Sequence, residues 1–288
     1  MSGIAARSIH PLSWPRSFLP RVMSSRPSKR RAAEARGEGA EAHERTLFYV
    51  AGSMFAWRVL IALREKKIPF TPRLLSLEKG ELKSQEVFEV NHRMQSPSFR
   101  DVGGNCVNES MAALQYLEDS YTPPTYPALL PPTSDPAARG HALQRLHEAA
   151  VLTFKQRAVR QSVFGMPPFE EIDITTEPGR TRHAELTTAL IDEMRIWEKY
   201  LSEGAYAAGN EVTLADCVLA TDLIFMRRLG CDFSVFPALE RYVNAMEARE
   251  TLRADWPPHW TKPAGEKWRS VFSRVAELAA SQGEPPGP

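Results

Sequence analysis

The stretch that most constrains the fold of this chain is residues 91–110, which read NHRMQSPSFRDVGGNCVNES. Their order indicates a loop that ends at Pro97, a short strand, a Gly-Gly turn and a second short strand. A Gly-Gly connection between two short alternating runs predicts a two-residue β-hairpin. Glu109 and Ser110 then begin a helix that we expect to reach about Glu118. A carboxylate and a hydroxyl at a helix start either cap the helix or bind a ligand, and these residues alone leave both interpretations open.

Two strands and two helices are predicted ahead of this stretch. Residues 46–50 have strand composition, a helix follows and ends near Lys66, and residues 70–77 predict a second strand. A helical pattern resumes over residues 83–90. Strand, helix, strand, helix, hairpin and helix in this order predict a thioredoxin-like domain over residues 46–120, in which helices cover a small mixed sheet.

Every long segment after this domain predicts helix. Residues 121–136 hold six prolines in a polar stretch without periodicity, which indicates a linker. Residues 137–260 then carry apolar stripes at helical spacing. The run at 217–229 is apolar almost all round, so we expect it to form the buried centre of an all-α domain. Thr213 and Asp216 are spaced as the capping pair of that helix.

The two ends of the chain differ from these domains in composition. Residues 1–33 contain several Lys and Arg and no acidic residue, which suits a mitochondrial or plastid transit peptide. A disordered extension is the alternative, because prolines interrupt any amphipathic helix there. Residues 1–45 are therefore a basic extension or a transit peptide. Residues 261–288 predict a tail with one candidate amphipathic helix.

The overall composition narrows the function classes. The 288 residues are 43% hydrophobic and 25% charged, which is typical of a soluble globular protein. Lys and Arg number 36 against 35 acidic residues, so the net charge does not favour nucleic acid or an anionic membrane as a partner. Three widely spaced cysteines without a C-x-x-C pair favour a reducing compartment and give no zinc site. We expect a cytoplasmic protein without a metal or a membrane span, unless residues 1–33 direct it to an organelle.

Four motifs resemble segments of the serine-type classes of the glutathione S-transferase family. They are GSMFAWRVLIAL at 52–63, KSQEV at 83–87 followed by Asn91, Arg93, Gln95 and Pro97, GNEVTLAD at 209–216, and WPPHW at 256–260. The last is similar to the segment that ends the rho class of aquatic animals, so the resemblance is to a rho-like member. It covers about residues 46–260. It implies the glutathione transferase fold, an α/β thioredoxin-like N-terminal domain followed by an all-α C-terminal helical domain.

The resemblance also implies residues that bind glutathione as a co-substrate. Pro97 would follow a cis bond, which exposes the Ser96 backbone to the cysteinyl backbone of glutathione. Glu109 and Ser110 would hold the γ-glutamyl amine and carboxylate, since a hydroxyl and a helix N-terminus suit an anion. An ordinary turn proline is the alternative for Pro97. No metal or other cofactor is implied.

Ser53 is the predicted catalytic residue. Conjugation requires the glutathione sulfur as a thiolate, and an unperturbed cysteine thiol has a pKa of about 8.5. A hydroxyl that donates to the sulfur and the positive end of a helix both favour the charged form. Ser53 lies just ahead of the first predicted helix, where both conditions can hold. The alternative is that Ser53 only caps that helix.

The glycyl end of glutathione is where the sequence departs from the family. The resemblance implies Lys83 against the glycyl carboxylate, with a solvated surface lysine as the alternative, and Gln95 as the weaker candidate. His92 replaces the usual proline and Met94 the usual glycine in the loop before Gln95. Ser96 stands where an aliphatic residue is usual. These changes bear on how tightly glutathione binds.

Two functions remain open on the sequence. The first is a transferase that conjugates glutathione to a small apolar electrophile in detoxification, with Phe55 and Phe154 or Phe164 in the electrophile pocket. The second is a binding or scaffold module that keeps the fold, which the altered loop at 92–96 favours. The family implies a homodimer in which the N-terminal domain of one subunit contacts the helical domain of the other.

Overall fold

The computed structural model describes residues 44–155, 173, 175–261, 272 and 275–282, without the side chains of residues 152–155. These residues belong to one compact unit. Its strands are β1 (Thr46–Tyr49), β2 (Thr71–Leu74), β3 (Ser98–Arg100) and β4 (Cys106–Asn108). Its helices are α1 (Met54–Glu65), α2 (Gln85–Val90), α3 (Ser110–Ser120), α4 (Pro136–Lys155), α5 (Glu177–Ser202), α6 (Leu214–Arg228), α7 (Pro237–Ala248), α8 (Glu250–Arg253) and α9 (Val275–Gln282).

The described strands form one sheet in the order β2–β1–β3–β4. β1 runs parallel to β2, with α1 between them in the chain, and β3 is antiparallel to both β1 and β4. Leu47 and its cross-strand partner Phe99 are fully buried in the larger core. Phe48 belongs to a second core with Leu75 and Val87, because successive side chains of a strand face opposite sides. This is the predicted thioredoxin-like domain, and the expected fold is confirmed.

The connection between β3 and β4 is longer than the predicted two-residue Gly-Gly turn, and that prediction is wrong. Residues 101–105 join the strands, and Gly103 and Gly104 adopt φ of 76° and 83° within a 3₁₀ turn. The carboxylate of Asp101 accepts the following backbone N–H at 2.7 Å and the Tyr121 hydroxyl at 2.6 Å. An aspartate that bonds to its own turn stabilises a wider connection than the Gly-Gly pair alone suggests.

Helix α6 is the buried centre of the helical domain, as predicted. Residues 214–224 are all buried. The carboxylate of Asp216 accepts the N–H groups of Thr213 and Ala207, each at 2.8 Å, and the Tyr242 hydroxyl at 3.1 Å. Burial raises the pKa of Asp216, and these hydrogen bonds oppose that rise. The predicted capping pair therefore also joins α6 to its neighbours.

Two buried ion pairs fix α1 in place. Near its middle, Arg58 Nη2 lies 2.9 and 3.0 Å from the carboxylate oxygens of Asp222 in α6, and neither side chain is appreciably exposed. At its C-terminal cap, Lys66 Nζ lies 2.6 Å from Glu118 of α3. Glu118 also accepts the N–H of Leu129, which holds the segment after α3. Buried charges tolerate desolvation only when such partners are present.

The last described helix, α9, lies within the predicted tail. Its Val275 is fully buried, and Gln282 donates to Thr188 of α5 at 3.2 Å. None of the helices in the described ranges is long and apolar enough to cross a membrane. The predicted domain boundaries at residues 120, 136 and 260 stay predictions.

Candidate functional site

A cavity of about 560 Å³ opens where β1 ends, α1 begins and the loop before β3 meets the start of α3. The structure brings together in its lining the residues Ser53, Phe55, Gln95, Ser96, Pro97, Glu109 and Ser110, all of which the sequence singled out. The lining residues to which sequence reasoning gave no role in the site are Val50, Leu77, Leu82, Met111 and Asn91, the last of which belongs to the second motif. Four of these are apolar side chains without a motif of their own, so only their hydrophobicity marks them.

Ser53 occupies the N-cap of α1 and lines the cavity at the same time. Its backbone is extended, and its Oγ accepts a hydrogen bond from the Ala56 N–H at 3.3 Å. Its own N–H donates to the Val50 carbonyl at 3.3 Å. Capping uses a lone pair of the hydroxyl oxygen, and no described residue accepts the hydroxyl proton. The capping and ligand-binding interpretations of Ser53 are therefore compatible.

The bond between Ser96 and Pro97 is cis, as the resemblance implies. Pro97 is buried and Ser96 is half-buried. Ser96 Oγ accepts the Val50 N–H at 3.0 Å, which ties the loop before β3 to the end of β1. The backbone of Val50 therefore contacts both Ser53 and Ser96.

The loop with the unusual residues is held by Asn91. Its amide nitrogen donates to the Gln95 carbonyl at 3.3 Å and to the Ser98 hydroxyl at 2.9 Å, and its amide oxygen accepts the Arg93 N–H at 2.9 Å. Met94 adopts φ of 49°, the left-handed region that glycine enters at lower cost. Met94 thus takes up a glycine-like backbone conformation at the position where the resemblance expects glycine.

Glu109 and Ser110 lie at the start of α3. Glu109 is exposed and has φ of 70° and ψ of 122°, a conformation that residues other than glycine seldom adopt. Ser110 is buried and lines the cavity together with Met111 in the first turn. The first N–H groups of a helix have no partner within the helix and attract anions. The Glu109 carboxylate suits the ammonium group of an amino acid, and the N-terminus of α3 suits its carboxylate.

Of the residues predicted to bind glutathione, all of which the structure describes, Lys83 alone lies outside the lining of this cavity. The Lys83 ammonium donates to the Met94 carbonyl at 3.2 Å on the exposed surface, beside Gln95 but outside the lining. Of the predicted electrophile pocket, Phe55 lines the cavity. Phe164 and the side chain of Phe154 lie outside the described residues.

A second cavity of about 160 Å³ adjoins the turn that carries Ser53. Its other walls are the end of β1, Leu74 of β2, one face of α1 and residues 254–258. The guanidinium of Arg64 holds Asp255 at 2.9 and 3.1 Å. Burial, and then the charge of Asp255, raises the pKa of Tyr49, so this phenol keeps its proton at neutral pH. Sequence reasoning used the WPPHW segment only as a class marker and missed this contact with α1.

Neither the cysteines nor the possible metal ligands in the described ranges indicate a thiol nucleophile or a metal site. No group of three or more His, Cys, Asp or Glu side chains there is arranged to hold a metal ion. Cys106, Cys217 and Cys231 are free, and burial raises the pKa of each thiol. A thiol with a raised pKa stays protonated at neutral pH and is a weak nucleophile.

Two family models match the chain. The model described as "Glutathione S-transferase, N-terminal domain" matches residues 52–120, and the model described as "Glutathione S-transferase, C-terminal domain" matches residues 147–250. The first match contains Ser53 and every residue predicted to bind glutathione.

Individual proteins agree with these matches. Glutathione S-transferase A of Pleuronectes platessa is 34% identical over 229 residues, which span 78% of this chain and 97% of that protein. Probable maleylacetoacetate isomerase 2 of Drosophila melanogaster is 31% identical over 211 residues, 71% of this chain and 84% of that protein. The crystal structure of a glutathione S-transferase from the Antarctic clam Laternula elliptica superposes with a TM-score of 0.68 at 30% identity, and covers 80% of this chain and 99% of the clam chain.

Proposed function

The chain belongs to the glutathione S-transferase family, and on that premise we propose a rho-like enzyme that conjugates reduced glutathione to small apolar electrophiles in detoxification. The observation that carries the proposal is that one cavity is lined by Ser53, Ser96, Pro97, Glu109 and Ser110 together. Family membership supports a glutathione transferase. The order of the four motifs, with WPPHW last, supports the rho-like class.

In the proposed reaction Ser53 stabilises the thiolate of bound glutathione. The thiol releases its proton to solvent, and the Ser53 hydroxyl and the N-terminus of α1 favour the resulting anion. The thiolate then attacks an electrophilic carbon, a new carbon–sulfur bond forms, and the electron pair of the broken bond leaves with the departing group. Glu109 and Ser110 orient the γ-glutamyl end, and the backbone of Ser96 orients the cysteinyl residue.

The character of the cavity supports an uncharged second substrate. Phe55, Leu77, Leu82 and Met111 supply apolar surface, and Glu109 is the one ionisable side chain among the described lining residues. An apolar electrophile is stabilised there by the removal of its surface from water. The proposed electrophile pocket includes Phe55, with Phe154 and Phe164 as further candidates.

The 31% identity with a probable maleylacetoacetate isomerase favours a second candidate, glutathione-dependent isomerisation of an anionic substrate. A substrate with two carboxylates requires cationic or N–H partners to offset its desolvation. The N-terminus of α3 is already assigned to the γ-glutamyl carboxylate of glutathione, and the described lining contains no Lys, Arg or His for a further dicarboxylate, so the transferase function is better supported. Assays of both reactions on the same preparation separate the two candidates.

A pull-down on glutathione-agarose followed by a chlorodinitrobenzene conjugation assay tests the transferase function. We expect retention and turnover by the wild type, and a loss of about 10- to 100-fold in kcat/KM in Ser53→Ala, since a hydrogen bond to a charged group contributes about 1.5–3 kcal/mol. Ser84→Ala is the matched control, because Ser84 caps α2 through a bond of 3.3 Å to the Val87 N–H and lies outside the cavity lining. A wild-type protein that is neither retained nor active would support the scaffold function instead.

We also propose that the enzyme is a homodimer, in which the N-terminal domain of one copy contacts the helical domain of the other. Membership of the family supports this assembly. Light scattering on the purified protein tests it, and a monomeric mass at micromolar concentration would contradict it.

For its location we propose the cytoplasm, with a mitochondrion or plastid as the alternative if residues 1–33 are a transit peptide. The basic, acid-free composition of those residues supports the alternative. Imaging a fusion of residues 1–45 to a fluorescent protein decides between them.

A further inference from the structure

The cavity contains a second hydroxyl in the same chemical situation as Ser53. Ser53 Oγ accepts the Ala56 N–H at 3.3 Å, and Ser96 Oγ accepts the Val50 N–H at 3.0 Å. Both residues line the cavity of about 560 Å³. In each case a lone pair of the oxygen is used, and no residue that the structure describes accepts the hydroxyl proton.

We propose that Ser96 donates a second hydrogen bond to the sulfur of bound glutathione, so that two hydroxyls stabilise the thiolate. The proposal rests on the proposed function, and it adds a catalytic residue to Ser53. Each hydrogen bond to the anionic form of an acid such as a thiol lowers its pKa. A hydroxyl that accepts an N–H is polarised by it and becomes a stronger donor.

The expected position of the cysteinyl residue places the sulfur of glutathione, rather than another of its groups, beside the Ser96 hydroxyl. The proposed pairing sets the cysteinyl backbone antiparallel to the backbone of Ser96. Residues directly opposite each other in such a pair have their side chains on the same face, with Cβ atoms about 4.5–5.5 Å apart. The thiol and the Ser96 hydroxyl are then neighbours.

Ser53 is bonded to the same residue as Ser96. Val50 donates its N–H to Ser96 Oγ, and its carbonyl accepts the N–H of Ser53 at 3.3 Å. The backbone of one residue, directly after β1, therefore anchors both serines. Both hydroxyls are uncharged hydrogen-bond donors, and each can stabilise a sulfur anion that is bound in the cavity.

The competing explanation is that Ser96 only ties the loop to β1. Threonine and valine have nearly the same shape, and only threonine keeps the hydroxyl, so Ser96→Thr and Ser96→Val form a matched pair. Ser98→Ala is a control for the loop itself. Its hydroxyl accepts from Asn91 and donates to the Gln95 carbonyl, and it lies outside the cavity lining.

The test is a pH titration of the ultraviolet thiolate absorbance of glutathione bound to the full-length protein. We expect the bound thiol of the wild type to have a pKa below about 8.5, and Ser96→Val to raise that pKa by about one pH unit. Ser96→Thr and Ser98→Ala should leave it within a few tenths of a unit. In the double variant, Ser53→Ala with Ser96→Val, the pKa of the bound thiol should be close to that of free glutathione.

An unchanged pKa in Ser96→Val with glutathione still bound would overturn the proposal and leave only the tie to β1. If Ser96→Val does not fold or bind, Ser96→Ala removes the same hydroxyl without adding bulk, and the same outcomes apply to it. Failure of the proposed function looks different, because the wild type would then show no bound thiolate and Ser53→Ala would have no effect.

Discussion

The imidazole of His259 occupies the space that a side chain at Gly52 would need. A Cβ at Gly52 would lie 2.7 Å from His259 Cε1 and 2.8 Å from Nε2, and Gly52 has φ of 81°. Gly52 directly precedes Ser53, so the C-terminal segment touches the turn that carries the proposed catalytic hydroxyl. The left-handed backbone favours glycine at this position, and a side chain there would also displace the exposed imidazole of His259.

The first prediction concerns this contact. Gly52→Ala should lower both the free energy of unfolding and the conjugation rate, because the new methyl group displaces His259 and shifts the Ser53 turn. Gly80→Ala is the matched control, since Gly80 has φ of 70° and nothing within 4 Å of the added Cβ. The control should cost about 1–2 kcal/mol from the backbone alone and keep its activity. Equal losses of stability and activity in the two variants, measured by urea unfolding and the conjugation assay, would contradict the prediction.

The second prediction concerns the indole cluster beside the same turn. Trp57 of α1 meets Trp256 and Trp260 edge to face, with ring centroids 5.3 Å apart in each pair. Trp260→Leu should destabilise the protein by about 3 kcal/mol and also raise the KM for glutathione, since α1 loses a wall close to Ser53.

Trp197→Leu serves as the control for that variant, because Trp197 is 1% exposed in α5 and belongs to the helical domain. Its loss should reduce the melting temperature by a similar amount and leave the KM unchanged. A KM for glutathione that stays at the wild-type value in Trp260→Leu would show that the indole cluster does not position the turn.

The third prediction concerns the ion pair between Arg58 and Asp222. Asp222→Leu should cost about 3–5 kcal/mol, because it leaves a guanidinium buried without its carboxylate. Replacing both residues, as Arg58→Met with Asp222→Leu, should cost less than the single change, since no charge then remains unpaired. Glu185→Ala removes an exposed pair with Arg182 and should cost at most about 1 kcal/mol. Urea unfolding measures all three, and a double variant less stable than Asp222→Leu would refute the explanation.

The fourth prediction concerns acid stability. Burial by itself raises the pKa of Asp101, but hydrogen bonds from Tyr121 and Tyr116, and then from the Val102 N–H and Arg45, outweigh it and hold this pKa below its ordinary value. The contribution of Asp101 to stability is therefore complete above the carboxyl pKa of the unfolded chain, about pH 4, and is lost as the pH falls through the lower pKa of the folded state.

Tyr121→Phe should accordingly raise the pH at which the protein unfolds in acid. Tyr126→Phe is its control, because the Tyr126 ring packs on Tyr121 with centroids 5.0 Å apart and its hydroxyl is outside the Asp101 network. Circular dichroism against pH gives the midpoints. Identical acid midpoints for the wild type and Tyr121→Phe would rule out this role of Asp101.

Much of the fold was predictable from local patterns, and the exceptions have physical causes. The strands, the capping pair of Thr213 and Asp216 and the buried α6 all follow from the spacing of apolar and capping residues. The Gly-Gly hairpin was predicted wrongly, because the carboxylate of Asp101 stabilises a wider turn by accepting the adjacent Val102 N–H and the hydroxyl of Tyr121, which is distant in sequence.

The candidate site also contains residues that local patterns predict and residues that they do not. Ser53, Glu109 and Ser110 carry local signals, since each stands at the start of a helix. The role of Lys83 at the glycyl carboxylate stays a prediction, and in the structure its ammonium donates to the Met94 carbonyl, which no sequence pattern indicated. The hydrogen-bond partner of a long, exposed side chain depends on which groups lie near it on the folded surface. No local sequence pattern specifies those groups.

By itself, the sequence determined the order of the elements, the family and the residues that begin α1 and α3, because propensity, capping and periodicity act over a few neighbouring residues. Only the tertiary structure decided that the backbone of Val50 joins Ser53 to Ser96 and that His259 lies against Gly52. Those contacts join segments far apart in the chain, and they exist only once the sheet and the helical domain have packed together.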